Sequence, residues 1–301
     1  MLSLHTNAAA LSAQNSISRT QMSLSTSQTR LSTGFRVNSA MDDAAGLQIA
    51  TRLKAQSSGM AMAMRNTQNS ISMLQTAEGA FDEVTTMLTR MKDLATQAAD
   101  ASSTAKDQAA LQSEFDALGS ELNNVMKNTT FGGAKLLDGG TISSAMTFQI
   151  GATKSETMSI DLSAAMTTLT GTGLANVSAR YAAGGSAVGT EISDGTDGTA
   201  SASNAAGQTA ANNAIDTITT AIDQVGGIRS SLGAAANRLD HVYNNLSNIS
   251  TNTKAATGRI MDTDFASESS NMTSNQMLLQ AGTAMLKQSN STSSLVMSLL
   301  Q

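Results

Sequence analysis

Leu74-Gln-Thr-Ala-Glu-Gly-Ala-Phe-Asp-Glu-Val-Thr-Thr-Met-Leu-Thr-Arg-Met-Lys-Asp-Leu-Ala-Thr-Gln-Ala98 decides the fold. Within it Leu74, Ala77, Phe81, Val84, Leu88, Met91, Ala95 and Ala98 follow one another by alternating steps of three and four residues. On a helix of ~3.6 residues per turn those steps keep the apolar side chains on one stripe, as packed helices require. Leu111, Phe115, Leu118, Leu122 and Val125 repeat the pattern in the next segment. A third run holds Ile215, Ile218, Ile222, Val225, Leu232, Ala236, Leu239, Tyr243 and Leu246, with Arg229 interrupting it at one seam position. From Asn212 to Ala256 the pattern supports one continuous helix, a rod of roughly 65 Å at ~1.5 Å per residue.

Composition agrees with long helices packed side by side. The 301 residues contain no Pro, Cys or Trp, only 3% aromatics, and 18 Met. Proline would break helix interiors. A compact enzyme of this size fills its core with aromatics as well as aliphatics, which this chain cannot do. The net charge of −5 and the lack of a basic stripe argue against nucleic acid as a partner. No apolar run reaches membrane-spanning length, and Met1-Leu2-Ser3-Leu4-His5 lacks the basic start and apolar core of a secretory signal.

Working outward, the middle changes character. Phe131-Gly132-Gly133 and Asp138-Gly139-Gly140 are turn signals. Phe148 and Ile150, then Met158, Ile160 and Leu162, alternate with polar residues and predict a β-hairpin whose turn lies between Gly151 and Glu156. Residues 167–209 are rich in Gly, Ser, Thr and Ala, and we expect an exposed loop or small outer excrescence there. Ser39-Ala-Met-Asp42 has capping-box spacing ahead of Leu47-Gln-Ile49, with Gly34 before it able to turn the chain at positive φ.

The two ends form a pair. Residues 1–33 carry only Arg19 and Arg30 as full charges, and residues 270–301 carry only Lys287. Leu278, Ala281, Met285, Gln288, Thr292, Leu295 and Leu299 keep the three-four step, and Leu4, Ala8 and Leu11 begin a looser version. Isolated helices with so weak an apolar face are marginal in water. We therefore expect both ends to be largely unfolded alone and to order on assembly. Between ends and rods lies Arg259-Ile-Met-Asp-Thr-Asp264, where Arg30, Arg36 or Arg52 could pair with Asp262 or Asp264, or all could be solvated surface charges.

These residues resemble a known family. Leu31-Ser-Thr-Gly-Phe-Arg-Val-Asn-Ser-Ala-Met-Asp-Asp-Ala-Ala-Gly46 looks like the N-terminal signature of bacterial flagellins, and Met1-Leu-Ser-Leu-His-Thr-Asn7 resembles the family's start. Phe131-Gly-Gly-Ala-Lys-Leu-Leu137 and Phe148-Gln-Ile-Gly-Ala152 resemble its central motifs. Ala235-Ala-Asn-Arg-Leu239, Arg259-Ile-Met-Asp-Thr-Asp-Phe-Ala266 and the tail ending Met297-Ser-Leu-Leu300 resemble its C-terminal region. The likeness covers roughly residues 1–165 and 210–301.

The resemblance implies a mainly α fold: a long-helix antiparallel bundle or coiled coil, a small β-hairpin region, and paired N- and C-terminal helices. It implies an inner tube domain from residues 1–43 and 258–301. The rod domain follows from 44–166 and 210–257, with 167–209 as a variable segment and the large outer domains of longer flagellins missing. It further implies a structural subunit, not an enzyme, that polymerises with its own copies into an extracellular flagellar filament for motility. An export chaperone at the C-terminal segment, the flagellar type III export apparatus, and filament-cap and hook-junction proteins are the implied partners. On the same likeness Thr89-Arg-Met-Lys-Asp-Leu-Ala-Thr-Gln97 matches the face read by the vertebrate innate-immune receptor TLR5, with Arg90, Leu94 and Gln97 on one helix and Glu114 on the next. Arg90 and Leu94 stand off the main seam and are expected to face outward, serving the receptor, axial subunit packing, or both.

Chemistry finds little support. His5 and His241 are far apart and in no metal-ligand spacing, Asp42-Asp43 and Asp262/Asp264 read as a helix start and a charged connector, and the central glycines lack the Lys-Ser/Thr ending of a phosphate loop. We expect no cofactor and no metal. Met91 and Met285 fall on seams and are expected to fill cores. A chemoreceptor signalling hairpin, the first of three rivals, would need a membrane span or sensor domain and no β-hairpin mid-chain. An enzyme embedded in a flagellin would need a sizeable insert with a metal motif. A hook-associated junction protein usually has a larger centre, and sedimentation of long polymers separates it from a flagellin.

Overall fold

A computed structural model describes residues 7–185, 188–193 and 204–299. Five long helices carry the chain: α1 (Ala8–Thr33), α2 (Ala44–Ala98), α3 (Ala105–Asn128) and, numbered after three short helices, α7 (Asn204–Met261) and α8 (Phe265–Leu299) as the returning pair. Two small antiparallel hairpins follow α3, β1 (Thr130–Phe131) with β2 (Ala134–Lys135), and β3 (Met146–Gln149) with β4 (Thr157–Ile160). The short helices are α4 (Ser163–Thr168), α5 (Leu174–Val177) and α6 (Ala179–Ala182). The expected mainly α architecture is present, with α1 paired to α8 and α2 to α7.

Local chemistry sets the ends of these elements. Asn7 caps α1 by accepting from the Ala10 amide at 3.1 Å, and Gly34, at φ 75°, closes its C-terminus by donating to the Arg30 carbonyl at 2.9 Å. Thr104 and Asp107 form a reciprocal capping box at the start of α3. The box expected from Ser39 and Asp42 does not form. Asp42 instead accepts from the Asn38 and Ser39 amides and closes the turn before α2, while Asp43 accepts from the Gly46 amide at 2.8 Å and takes the capping role. Gly132 and Gly133, at φ 59° and 85°, are consecutive left-handed residues and make the two-residue turn between β1 and β2. The second hairpin has the predicted alternation, with Met146 opposite Ile160 and both buried.

The chain divides into two units, one of residues 1–58 and 249–301, the other of residues 59–248. The second holds the large apolar core. Every position of the stripe from Leu74 to Ala98 is buried, joined by Phe115, Leu122, Ile218, Val225, Leu232 and Leu239. In α7 the buried stripe runs through Ala211, Ala214, Ile218, Ala221, Val225, Ile228, Leu232, Ala235 and Leu239, again by threes and fours. Arg229 therefore does not interrupt the seam. Ile228 fills the position, and Arg229 stands beside it in an ion pair with Asp82 at 2.9 Å. The stripe slips by one residue in both long helices near the division. It passes Ser57, Met60, Ala63 and Thr67 in α2, with two successive steps of three, and Val242, Leu246, Ser250 and Thr253 in α7, with two successive steps of four.

The expectation of an exposed loop at 167–209 fails for its first half. Leu169, Leu174, Val177, Tyr181 and Ile192 are buried in the core. They are few: Leu174 and Val177 are turned inward by α5, Tyr181 by α6, Leu169 by the turn that follows α4, and Ile192 lies in irregular chain. Residues 194–203 lie outside the described residues.

Candidate assembly and recognition surfaces

In the first unit α1 and α8 meet along a seam in which aliphatic side chains alternate with small and polar ones. Ala10, Ala13, Ile17, Thr20, Leu24, Ser27 and Leu31 are the less exposed residues of α1, and Glu268, Met272, Asn275, Leu279, Gly282, Leu286 and Ser289 are those of α8. Both series keep the three-four step, so the pair is regular. A Cβ on Gly282 would sit 2.9 Å from Ile17 Cγ1, so the Ile17 side chain occupies the space beside this glycine. Asn7 Nδ2 donates to the Ser289 carbonyl and hydroxyl at 3.3 and 3.2 Å. Near the other end Arg30 pairs with the buried Glu268 at 3.7 Å.

The stripe read from the sequence lies on a different face. Ala8 and Leu11 of α1 and Leu278, Ala281 and Met285 of α8 are exposed, with Leu278 at 59% and Met285 at 69%. Met285 is thus no core filler. Leu4, His5 and the side chains of Leu295 and Leu299 lie outside the described residues. Each terminal helix thus turns a mixed apolar and polar stripe to its partner and leaves further large apolar residues exposed, Leu11 and Met22 on α1 and Met277, Leu278 and Met285 on α8.

The connector charges do not pair with each other. Arg36 donates from its side chain to the Ile260 carbonyl at 2.9 Å and from its amide to the Met261 carbonyl at 2.6 Å. Asp262 joins Phe35 in an isolated antiparallel bridge, the Thr263 amide donates to the Gly34 carbonyl, and Asp264 accepts from the Ala266 amide at the start of α8. Arg30 chooses Glu268. Of the pairings the sequence allowed between Arg30, Arg36 or Arg52 and Asp262 or Asp264, none forms among the described residues. Backbone hydrogen bonds, not ion pairs, tie the two chain crossings together.

On the second unit Arg90 and Glu114 meet across α2 and α3. Arg90 donates from Nε and from its terminal nitrogen to one Glu114 oxygen, at 2.9 and 2.6 Å, with about half of each side chain exposed. Gln97 is exposed on the same side of α2. Leu94 corrects the sequence reading: it is 1% exposed and belongs to the core. The reason is that α2 packs two partners. One flank carries Leu88, Met91 and Ala95, and a second carries Met87 and Leu94, with Met73 and Ala80 half-buried in line with them.

A buried polar clasp escaped the sequence reading. Gln112, Asp116 and Asn123 line a buried face of α3, and Gln108, a turn earlier, donates to the Ala98 carbonyl at 3.0 Å. Asp116 accepts from the Gly189 amide at 3.2 Å and from Gln112 at 2.9 Å, and lies 3.5 Å from Arg180. Gln112 accepts from the Ile192 amide and donates to Glu191, each at 2.8 Å, and Glu191 in turn accepts from the Ala179 amide. Burial, with the charge of Asp138 adding to it, raises the Tyr181 hydroxyl well above the usual range. This network straps an irregular segment onto a helix. Among the described residues no group of three or more His, Asp and Glu is placed to hold a metal ion.

Comparison with known proteins gives these surfaces a context. Residues 4–141 match the bacterial flagellin N-terminal helical region, and residues 215–300 match the bacterial flagellin C-terminal helical region. Flagellin A of Vibrio anguillarum is 35% identical, with all of both chains aligned. Polar flagellin F of Vibrio parahaemolyticus is 34% identical over 99% of each chain. The first alignment runs over 379 positions against 301 residues here, so that relative carries segments this chain lacks. A solved structure described as that of a flagellar hook-associated protein from Vibrio parahaemolyticus is similar in fold, with a TM-score of 0.55, 19% identity and coverage of 73% of this chain and 100% of that one.

Proposed function

This chain belongs to the bacterial flagellins, structural subunits of the flagellar filament rather than enzymes, and from that premise we propose how its fold assembles. The second apolar stripe of each terminal helix is the assembly surface. Leu11 and Met22 on α1, and Leu278, Ala281 and Met285 on α8, with Leu4, Leu295 and Leu299 extending the series in sequence, are covered by the terminal helices of neighbouring copies. The carrying observation is that Leu11, Met22, Leu278, Ala281 and Met285 stay exposed although α1 and α8 are paired along another face, where Ile17, Leu24, Leu279 and Leu286 lie. Most seam positions of the pair are only half-buried, so full ordering of the pair draws on the neighbours' surface as well.

The same weakness suits export. A chain without cysteine, whose ends gain stability on assembly, passes unfolded through the flagellar type III apparatus, held at its C-terminal segment by a chaperone. It is then added beneath the filament cap, beyond the hook-junction proteins, in the extracellular filament. The described helices contain none long and apolar enough to cross a membrane. The half-exposed Arg90–Glu114 pair and Gln97 favour a second use of the free subunit, recognition by TLR5, on a patch that also serves axial contact. Leu94 supports that patch from beneath.

Replacing Leu11, Leu278 and Met285 together by Ser tests the assembly surface in the full chain. We expect the monomer's circular dichroism and melting to stay close to the parent's, and salt-induced polymerisation to drop to short or no filaments by sedimentation and electron microscopy. Filaments of normal length and yield would overturn the reading.

A further inference from the structure

The chain's oxidisable sulfur is distributed unevenly. There is no cysteine and no tryptophan, so the 18 methionines are its most readily oxidised side chains. Those of the second unit are mostly core: Met60, Met87, Met91, Met126, Met146, Met158 and Met166 are all buried. In the first unit Met22, Met277 and Met285 are 62%, 59% and 69% exposed, and they lie on or beside the outer stripes of α1 and α8. We propose that Met22, Met277 and Met285 are oxidation sites whose conversion to the sulfoxide keeps a free subunit out of the filament, while subunits already in it are shielded.

The chemistry is a two-electron oxygen transfer from a peroxide or a hypohalous acid. With hypochlorous acid a new S–O bond forms at the thioether sulfur and the O–Cl bond breaks. Sulfur is oxidised, chlorine is reduced to chloride, and the hydroxyl proton is released to water. With hydrogen peroxide the O–O bond breaks and water leaves. The product side chain is polar and carries a strong acceptor, so placing it in an apolar contact costs desolvation without a matching donor. Between Met277 and Met285 on α8 the exposed Leu278, Ala281 and Ala284 offer no donor, and of the two polar side chains there the Thr283 hydroxyl already donates to the Gln280 carbonyl, which leaves the Gln280 amide. Access supplies the selectivity, because oxidation follows exposure. Met41, 95% exposed in the connector, and Met62, exposed on α2, react as easily but stand off the terminal-helix stripes and serve as internal controls.

The inference rests on the assembly surface proposed above, and its test separates the two. Free subunits and preformed filaments receive the same limiting dose of hypochlorous acid, and each methionine is scored by peptide mass spectrometry. In free subunits we expect sulfoxide at Met22, Met41, Met277 and Met285 at least about tenfold ahead of Met91 and Met126. In filaments we expect Met22, Met277 and Met285 to fall behind while Met41 keeps pace with its free-subunit rate. Oxidised subunits are then offered to unoxidised seeds. Each protein's elongation is divided by its own value without oxidant. The parent and Met41→Leu should lose most of theirs, and the combined Met22→Leu, Met277→Leu, Met285→Leu chain should keep more than half. Normal elongation by parent subunits carrying all three sulfoxides overturns the oxidation proposal alone. Equal labelling of the three residues in filament and free subunit overturns the assembly surface beneath it.

Discussion

The two stretches of α2 belong to one uninterrupted helix and bury different things. From Met60 to Ala98 the inward positions hold Leu, Phe, Val and Met, while between residues 44 and 58 they hold Gly46, Ala50, Leu53 and Ser57. The contrast extends to the whole of each unit. Among the described residues ten of the twelve exposed large hydrophobics lie in the unit made from the chain ends, so periodicity alone does not make a self-sufficient core. Side-chain volume on the stripe decides whether a helix pair is finished within the chain or left with apolar area for another copy.

The largest effect that could break this contrast comes from the core. Phe81 is fully buried between packed helices, and Phe81→Ala should cost the subunit about 3–5 kcal/mol, read as a lower melting temperature by circular dichroism. Met285→Ala, by contrast, should move the same melt by no more than ~0.5 kcal/mol, since the side chain is exposed. A Met285→Ala melt displaced as far as that of Phe81→Ala would show that the end unit is completed within the chain after all.

A middle-sized effect sharpens the contrast inside the end unit. The Ile17 side chain fills the space beside Gly282, so a large side chain there must displace it or push the helices apart. Gly282→Leu should destabilise the α1–α8 pair by about 1–3 kcal/mol through overpacking. Hydrogen exchange reads it locally: amides of residues 8–33 and 265–290 should lose protection, and those between Leu74 and Ala98 should keep theirs. Uniform loss across both sets would mean that the two units unfold together.

Much of this was legible in the sequence where large apolar residues mark the stripe, and illegible where small or polar ones do. From Leu74 to Ala98 the eight positions of the main stripe were legible, and the buried Met87 and Leu94 beside it were not. In α7 four of the nine residues of the true seam are Ala211, Ala214, Ala221 and Ala235, and alanine is at home on surfaces too, so the brighter Ile215, Ile222 and Tyr243 drew the reading one position aside and set Arg229 in the seam. The ends repeat the lesson. Leu278 and Met285 advertise an apolar face that points away from α1, whereas Asn275, Gly282 and Ser289, which do face it, look like surface residues. Leu94 was misplaced because spacing along one helix cannot reveal a second helix packed on its flank. The clasp of Gln112 and Asp116 was invisible because Gly189, Glu191 and Ile192 lie more than seventy residues away. The exposed Arg90, Gln97 and Glu114 were legible only through the family's motif.

The smallest effect separates the units by how their chain turns are held. Both use carboxylates that accept backbone N–H groups, and such bonds favour the charged form. Ser39 and Asn38 hold Asp42 of the connector below its ordinary value of 3.8, and Thr104 does the same for Asp107 at the start of α3. Because the folded value is the lower one, each group's contribution is fully present above the ordinary value of 3.8 and is lost as pH falls through the folded value. Acid should therefore loosen both turns, with different consequences. The second unit, with its large core, should keep its near-native melt while only the first turn of α3 frays. The connector has no comparable core beneath it, so exchange at residues 35–43 should rise earlier and spread into the ends of α1 and α8. Asp42→Asn should leave the connector's exchange elevated at neutral pH and flatten its acid dependence, with Asp107 unaffected. An acid response in the connector that persists unchanged in Asp42→Asn would assign the sensitivity to the Arg30–Glu268 pair instead, and with it the job of holding the end unit closed.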